Sequence, residues 1–152
     1  HLAEAHPETH LIPATATKSR ALFFQWLMYL TNTLQAELMI YCYPEKHINS
    51  INAEETGDTE TRHTKVIVQA QEHRLADILA LLDAELEGKR FLVGDSITAC
   101  DYFLFMLAVW ADELPRPPLS FKHLGAYLKQ LAKRSEIITV CEKEGLSLLD
   151  YQ

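Results

Sequence analysis

The side chains that could bind a metal ion are mainly histidines, of which the chain has seven. His6 and His10 have the spacing of a helical zinc pair, but Pro7 lies between them and disfavours a continuous helix. His63 and His73 lie on one predicted helix, where ten residues correspond to about 15 Å of rise. One ion cannot bridge that distance. We therefore predict no metal site and no metal cofactor.

Three cysteines, Cys42, Cys100 and Cys141, are the candidate nucleophiles. Their odd number, wide spacing and lack of a CxxC pair indicate reduced thiols of a cytoplasmic protein, not a disulfide framework. Cys100 falls in the first turn of a predicted helix, where a thiol pKa can be lowered. Its apolar surroundings favour a buried, unreactive thiol instead. The sequence contains no Gly-rich phosphate loop, GxSxG elbow or HExxH motif.

The sharpest local signal is the run from Thr98 to Asp101. In a capping box, the Thr98 hydroxyl accepts a hydrogen bond from the Asp101 backbone N–H, and the Asp101 carboxylate accepts one from the Thr98 N–H. Ile97 and Tyr102 are placed as a hydrophobic staple across it. We interpret the pair as the structural start of a helix, with no catalytic residue in it. Replacing either residue by alanine is predicted to cost about 1 kcal/mol.

Hydrophobic spacings of three and four predict an all-α fold of about five helices. The first two predicted helices cover 17–43 and about 59–87, and a polar loop at 45–58 separates them. The third runs from 98 to the prolines after 114, the fourth starts at 120, and the fifth runs from 135 to 145. The third is apolar all round, which predicts a central helix buried on most sides. In the fifth, Ile137, Ile138 and Cys141 are expected to face inward. Gly88 is expected to close the second helix in a left-handed conformation.

The 152 residues, 48% of them hydrophobic, are enough for one domain with a sizeable core. A formal net charge of −7 disfavours nucleic acid as a partner, because phosphate binding relies on a basic surface. The longest uncharged apolar run, 102–111, is too short to cross a bilayer, so no membrane partner is predicted.

The stretch RFLVGDSITACD, residues 90–101, resembles the turn into the central helix of the C-terminal domain of glutathione S-transferases. The run QWLMYL at 25–30 is similar to the first long helix of that domain. The segment from Lys133 onward is similar to its closing helix. The resemblance implies that residues 1–16 are the end of a thioredoxin-like domain and an interdomain linker. Residues 17–152 would then be the helical domain.

The resemblance also implies a role for this domain in a longer parent protein. The parent would conjugate glutathione, as co-substrate, to a small apolar electrophile, and an N-terminal domain outside this chain would activate the thiol. The helical domain would form a homodimer interface and the wall of the electrophile pocket, with candidate residues Met28, Gln35, Met39 and Tyr43. The alternative is that the same side chains are core or dimer-interface residues.

Two positions depart from the pattern of the beta class of this family. Gln35 stands where many bacterial members carry a histidine, and Met28 where an asparagine can assist glutathione binding. Both changes argue against beta-class chemistry. An alternative function is a non-catalytic protein–protein interaction module, because similar helical domains occur in translation factors and aminoacyl-tRNA synthetase complexes. The sequence of the full-length parent discriminates between the two.

Overall fold

The computed structural model describes residues 1–48 and 57–151. Within these ranges the chain is all-α, as predicted, and has no β-strand. The helices are α1 (Leu2–Ala5), α2 (Lys18–Tyr29), α3 (Ala36–Cys42), α4 (Gly57–Glu85), α5 (Ala99–Trp110), α6 (Lys122–Leu131) and α7 (Ser135–Glu144). Residues 49–56 of the predicted loop lie outside the described residues. Its first part is a 3-10 turn, Pro44–His47, and its last part already belongs to α4.

The first predicted helix contains one wide turn. Thr17 caps α2, as expected, by accepting a hydrogen bond from the Arg20 backbone N–H at 3.2 Å. A π-helical turn, Leu30–Gln35, then joins α2 to α3. Leu30, Leu34 and Leu38 are fully buried at a spacing of four. A turn of more than four residues keeps three such positions closer to one line than successive 3.6-residue turns would. The predicted helix over 17–43 is therefore present, with one π-helical turn inside it.

Helix α5 lies at the centre of the core, with Cys100, Leu104, Leu107 and Ala108 completely buried. The Cys100 thiol donates a hydrogen bond to the Phe23 carbonyl at 3.4 Å, which ties α5 to α2. The prediction that α5 is buried on most sides is confirmed, and one face is left open. Met106 and Trp110 lie exposed on that face, because α7 packs beside α5 without covering it.

Helix α6 begins two residues later than predicted, and no side chain of its own caps it. The Asp83 carboxylate, from α4, accepts hydrogen bonds from the backbone N–H groups of His123 at 2.6 Å and Leu124 at 2.8 Å. A carboxylate at a helix N-terminus satisfies unpaired N–H groups and interacts favourably with the helix dipole. One acidic side chain therefore fixes the start of α6 against α4.

We expect Asp83→Ala to lower the free energy of unfolding by about 1 kcal/mol, within the range of about 0.5–2 kcal/mol for the loss of an N-cap. Urea unfolding followed by circular dichroism measures this cost. Asp77→Ala, at an exposed position on the same helix, is the matched control and should be nearly neutral. Equal costs for the two variants would contradict the capping role of Asp83.

Helix α7 buries Ile137 and Cys141, as predicted, but the prediction for Ile138 is wrong, because this side chain is exposed. This ten-residue helix packs on the core through one buried residue in each turn, Ile137 and then Cys141. The segment after α7 turns back, and Tyr151 is buried with its ring against Phe105 at a centroid distance of 5.3 Å. The Tyr151 hydroxyl donates to both carboxylate oxygens of Asp112 at 2.7 Å.

Candidate functional site

The predicted pocket-wall residues lie along the outer side of α2, the π-helical turn and α3. Met28, Met39 and Tyr43 are exposed, and Gln35 is half-buried. The Asn32 amide donates to the Met28 sulfur at 3.7 Å. Whether they line a pocket stays a prediction; the structure shows that three of the four are large apolar side chains exposed along this helical segment. We call these four residues the first-helix face.

Two cations contact aromatic rings beyond the ends of the first-helix face. The guanidinium of Arg20 lies 5.5 Å from the centre of the Phe24 ring, and the Lys46 ammonium lies 4.2 Å from the centre of the Tyr43 ring. At these distances both cations have favourable contacts with the aromatic faces. The Arg20 guanidinium is also paired with the Glu4 carboxylate, so it adds no net positive charge to the face.

The capping box is present, with both of its hydrogen bonds. The Asp101 side chain is completely buried and also holds groups from outside the box. Its Oδ1 accepts from the Leu92 backbone N–H at 2.8 Å and from the Tyr127 hydroxyl at 2.6 Å. Its Oδ2 accepts from the Thr98 N–H at 2.7 Å and the Thr98 hydroxyl at 2.9 Å. The pair is thus the centre of a buried network joining three segments of the fold.

Burial, together with the nearby Asp101 charge, raises the pKa of the Cys100 thiol to about 12. The hydrogen bond with the Thr98 side chain lowers this pKa only in part, so Cys100 stays a protonated, structural thiol at physiological pH. Cys141 is also buried, and Cys42 is exposed at the end of α3.

We therefore expect an aromatic disulfide reagent to label one thiol of the native protein, with mass spectrometry locating the label on Cys42. Burial blocks access to Cys100 and Cys141, and thiolates, not thiols, react with such reagents. Partial burial and the Glu113 charge also raise the pKa of Cys42, so its faster labelling depends on its exposure. All three thiols should react after denaturation in urea, and Cys42→Ser should remove the fast phase. Labelling of Cys100 in the native protein at the rate of Cys42 would refute this assignment.

A second candidate site is an open cavity of about 280 Å³ between α5 and α7. We call it the α5–α7 groove. Phe105 forms part of its wall, and Tyr102, Met106, Trp110 and Val140 line it where it opens. Sequence reasoning missed this site because an all-apolar helix was assumed to be covered. The available signal was Val140, an apolar residue outside the inward positions assigned to the last helix.

The polar groups of the groove lie at the N-terminal end of both helices. The Tyr102 hydroxyl donates to Glu136 Oε1 at 3.2 Å, and Arg134 Nη2 lies 2.8 Å from the same oxygen. Hydrogen bonding by its own backbone N–H, followed by the Arg134 contact, lowers the pKa of Glu136 to about 2. The carboxylate therefore stays ionised at physiological pH, and the remainder of the lining is apolar.

Comparison with known proteins decides the family. The model for the glutathione S-transferase C-terminal domain matches residues 31–135, which include α3, the capping box and α6. The chain belongs to the glutathione S-transferase family. The resemblance inferred from residues 90–101 is therefore confirmed.

Two curated glutathione S-transferases are similar to this chain. GstA of Escherichia coli O157:H7 is 24% identical over 146 residues, a match that covers 96% of this chain and 64% of GstA. GST-4.5 of Xanthomonas campestris pv. campestris is 26% identical over 74 residues, covering 49% of this chain and 36% of that protein. The chain thus spans slightly less than two thirds of the length of GstA.

Solved glutathione S-transferase structures share the fold. A sphingomonad enzyme complexed with glutathione superimposes with a TM-score of 0.72 at 20% identity, covering 96% of this chain and 64% of that one. A Sulfitobacter homologue with bound glutathione gives a TM-score of 0.74 at 14% identity, covering 95% and 64%. About a third of each of these two chains lies outside the superposition.

In the described part of this glutathione S-transferase chain, no three His, Cys, Asp or Glu residues are grouped so that they could hold a metal ion. Among the same residues, no helix has both the length and the hydropathy needed to span a bilayer.

Proposed function

We propose that this chain is the helical domain of an enzyme that conjugates glutathione to a small apolar electrophile. The observation that carries the proposal is the match to the family's C-terminal domain over residues 31–135. The E. coli relative, called a glutathione S-transferase, is matched over 96% of this chain. The thiol-activating residue would belong to the parent protein outside these 152 residues. A cytoplasmic location is part of the proposal, supported by three cysteines without a disulfide.

We assign the wall of the electrophile pocket to the first-helix face. Exposed thioether and phenol side chains present adaptable apolar surface, which is typical of sites for varied apolar molecules. The half-buried Gln35 amide would supply a polar contact within that surface. Gln35 cannot act as a charged acid, so its contribution would be orientation by hydrogen bonding rather than proton transfer.

The pocket-wall assignment is tested in the parent enzyme with Met28→Ala and Met39→Ala. If these side chains contact the electrophile, its KM should rise while the KM for glutathione stays constant. Leu22→Ala is the matched control, since Leu22 is 46% and Met28 49% exposed. Leu22 lies on the same helix but about 120° away around the axis. An unchanged electrophile KM in both methionine variants would refute the assignment.

The activity itself is tested by comparing this chain with its full-length parent in a conjugation assay with glutathione and an aryl halide. The parent should turn over, and this chain alone should not, because lowering the thiol pKa needs groups outside the helical domain. Turnover by the chain alone would refute this division of labour. A folded parent inactive with a panel of electrophiles would favour the interaction-module alternative.

A homodimer is also part of the proposal, supported by the exposed apolar side chains of the first-helix face. Apolar patches of this kind mark protein interfaces. Sedimentation of this chain at micromolar concentration should show self-association, and Met28→Glu should reduce it. A monomer throughout that concentration range would contradict this part of the proposal.

A further inference from the structure

We propose that residues 146–151 form a strap that opens and closes as a unit, and that the contact of Tyr151 with Asp112 is its latch. We call this segment the C-terminal strap. Opening it uncovers Cys141 and joins two cavities that the closed strap keeps apart. The proposal goes beyond the proposed function and does not depend on it, because it concerns this chain alone.

One buried side chain anchors the C-terminal strap. Gly145 ends α7 in the left-handed conformation, with a φ of +69°, and the chain turns back from there. Leu146 is 47% and Leu149 76% exposed, although both are large apolar side chains. Leu148 is partly buried against the core, and Tyr151 is buried almost completely. The position of the strap therefore depends mainly on Tyr151.

The latch joins the strap to the end of α5. The Tyr151 hydroxyl donates to both carboxylate oxygens of Asp112 at 2.7 Å. Its ring packs on Phe105, with the ring centres 5.3 Å apart. Burial, followed by the contact with Asp112, raises the pKa of Tyr151, so the phenol stays protonated and remains the donor. A single side chain thus supplies both the apolar and the polar part of the latch.

The strap separates two cavities. Cys141 and Leu146 line the α5–α7 groove, and they also line a second cavity of about 460 Å³ between α7 and the strap. Ile138 and Leu149 form part of the wall of the second cavity. Because Leu146 belongs to the strap and faces both spaces, it is part of the partition between them. Movement of the strap would remove this partition.

The thiol of Cys141 lies under the strap. Its exposed fraction is 5%, and its carbonyl accepts a hydrogen bond from the Leu146 backbone N–H at 2.8 Å. It is also close enough to Tyr151 for its charge to contribute to the raised pKa of the phenol. The reactivity of Cys141 therefore reports whether the strap is open.

Burial distinguishes the strap from the core. A segment held by one buried side chain opens at a lower free energy than the packed helices do. The region around Cys100 is completely buried, and its thiol is bonded to the Phe23 carbonyl of α2. The strap can leave its position while α5, α6 and α7 stay packed, so its opening exposes little new surface.

The latch consequently controls the shape of the α5–α7 groove. In the closed state the Tyr151 ring supports Phe105, and Leu146 closes one side of the groove. In the open state the groove continues into the second cavity and presents a longer apolar surface. The strap is thus a conformational switch between two forms of one surface.

The test follows the labelling of Cys141 in this 152-residue chain with Cys42→Ser, which removes the exposed thiol. An aromatic disulfide reagent is used, and mass spectrometry assigns each label. We expect Cys141 to react at least about tenfold faster than Cys100 in the native protein. Low urea should change the Cys141 rate little and raise the Cys100 rate steeply, because urea dependence follows the surface exposed on opening.

Two variants remove the polar part of the latch. Tyr151→Phe keeps the ring and lacks the hydroxyl, and Asp112→Ala lacks the acceptor. Each should speed the labelling of Cys141 by about tenfold, because a hydrogen bond to a charged group is lost. The Cys100 rate should stay unchanged. The double variant should be no faster than the faster single variant, because both changes remove the same contact.

Two controls match these variants. Leu149→Ala changes a strap residue that is 76% exposed, and Glu113→Ala removes an exposed carboxylate next to Asp112. Neither should change the rate at which Cys141 is labelled.

Three results would overturn the proposal. Equal labelling rates for Cys141 and Cys100 would mean that the strap opens only when the whole chain unfolds. Equal acceleration of both thiols by Tyr151→Phe would mean that Tyr151 stabilises the domain as a whole. An effect of Leu149→Ala as large as that of Tyr151→Phe would mean that the hydroxyl contact is not the latch.

Discussion

Replacing Asp101 by alanine should lower the free energy of unfolding by about 3–5 kcal/mol, which corrects the cost of about 1 kcal/mol that the sequence predicts for the loss of a helix cap. The reason is the number of buried donors that share this carboxylate. The N–H groups of Leu92 and Thr98 and the hydroxyl of Tyr127 would all lose their acceptor. Each buried donor without a partner costs about 1–3 kcal/mol.

Tyr127 should behave as part of the same unit. Burial, together with the Asp101 charge, raises the pKa of Tyr127 well above its ordinary value, so the phenol remains a hydrogen-bond donor. Tyr127→Phe alone should cost about 1–2 kcal/mol. In the Asp101→Ala background it should cost almost nothing, because its acceptor is already gone.

Urea unfolding of the four proteins in this double-mutant cycle measures the coupling. Thr98→Ala should cost about 1 kcal/mol, because it removes one half of the box and leaves the Asp101 carboxylate in place. The control is Asp95→Ala, an exposed carboxylate in the preceding turn. Two results would show that the network contributes nothing. One is a loss of unfolding free energy in Asp101→Ala no greater than in the control. The other is full additivity of the effects of Asp101→Ala and Tyr127→Phe.

Replacing Gly125 by alanine should be destabilising by about 1–3 kcal/mol, although alanine is favoured over glycine in a helix by about 1 kcal/mol. A Cβ at this position would lie 2.6 Å from the Leu119 carbonyl oxygen and 3.2 Å from its carbon. Both are backbone atoms of the segment that leads into α6, so they cannot turn aside as a flexible side chain could. Either α6 or the preceding 3-10 turn must shift.

Thermal and urea unfolding of Gly125→Ala measure the net effect. Ala126→Gly, at the exposed neighbouring position, reports the helix-propensity difference in the same turn and should cost up to about 1 kcal/mol. Gly125→Val should be more destabilising than Gly125→Ala, because the added methyl groups have no room. A Gly125→Ala variant as stable as the wild-type protein would mean that the close approach to Leu119 is not maintained in solution.

Local patterns predicted the helices and most of the core. The spacing of Leu75, Leu79, Leu82 and Leu86 identified the buried side of α4, and all four are buried. Gly88 has the expected left-handed φ of +70°. The Thr98–Asp101 pair marked the start of α5 to the residue. These features follow from hydrogen bonds and packing between residues close in sequence.

What the sequence did not predict depends on residues far apart in the chain. Asp83 caps α6 across about 40 positions, and Leu92 and Tyr127 reach Asp101 from two other segments. The exposed side of α5 has no signature of its own, because the composition of that helix is apolar on every side. The α5–α7 groove follows from where α7 packs, which no local pattern specifies.

The π-helical turn at Leu30–Gln35 affects how roles are transferred between aligned sequences. A regular α-helix advances about 100° per residue. A related helix without the wide turn therefore has one residue fewer between two positions that face the same direction. An ungapped alignment with such a helix would pair the buried Leu38 with an outward position and shift Met39 and Tyr43 by one place. Correspondences along this helix hold up to Leu30 and need a one-residue gap after it.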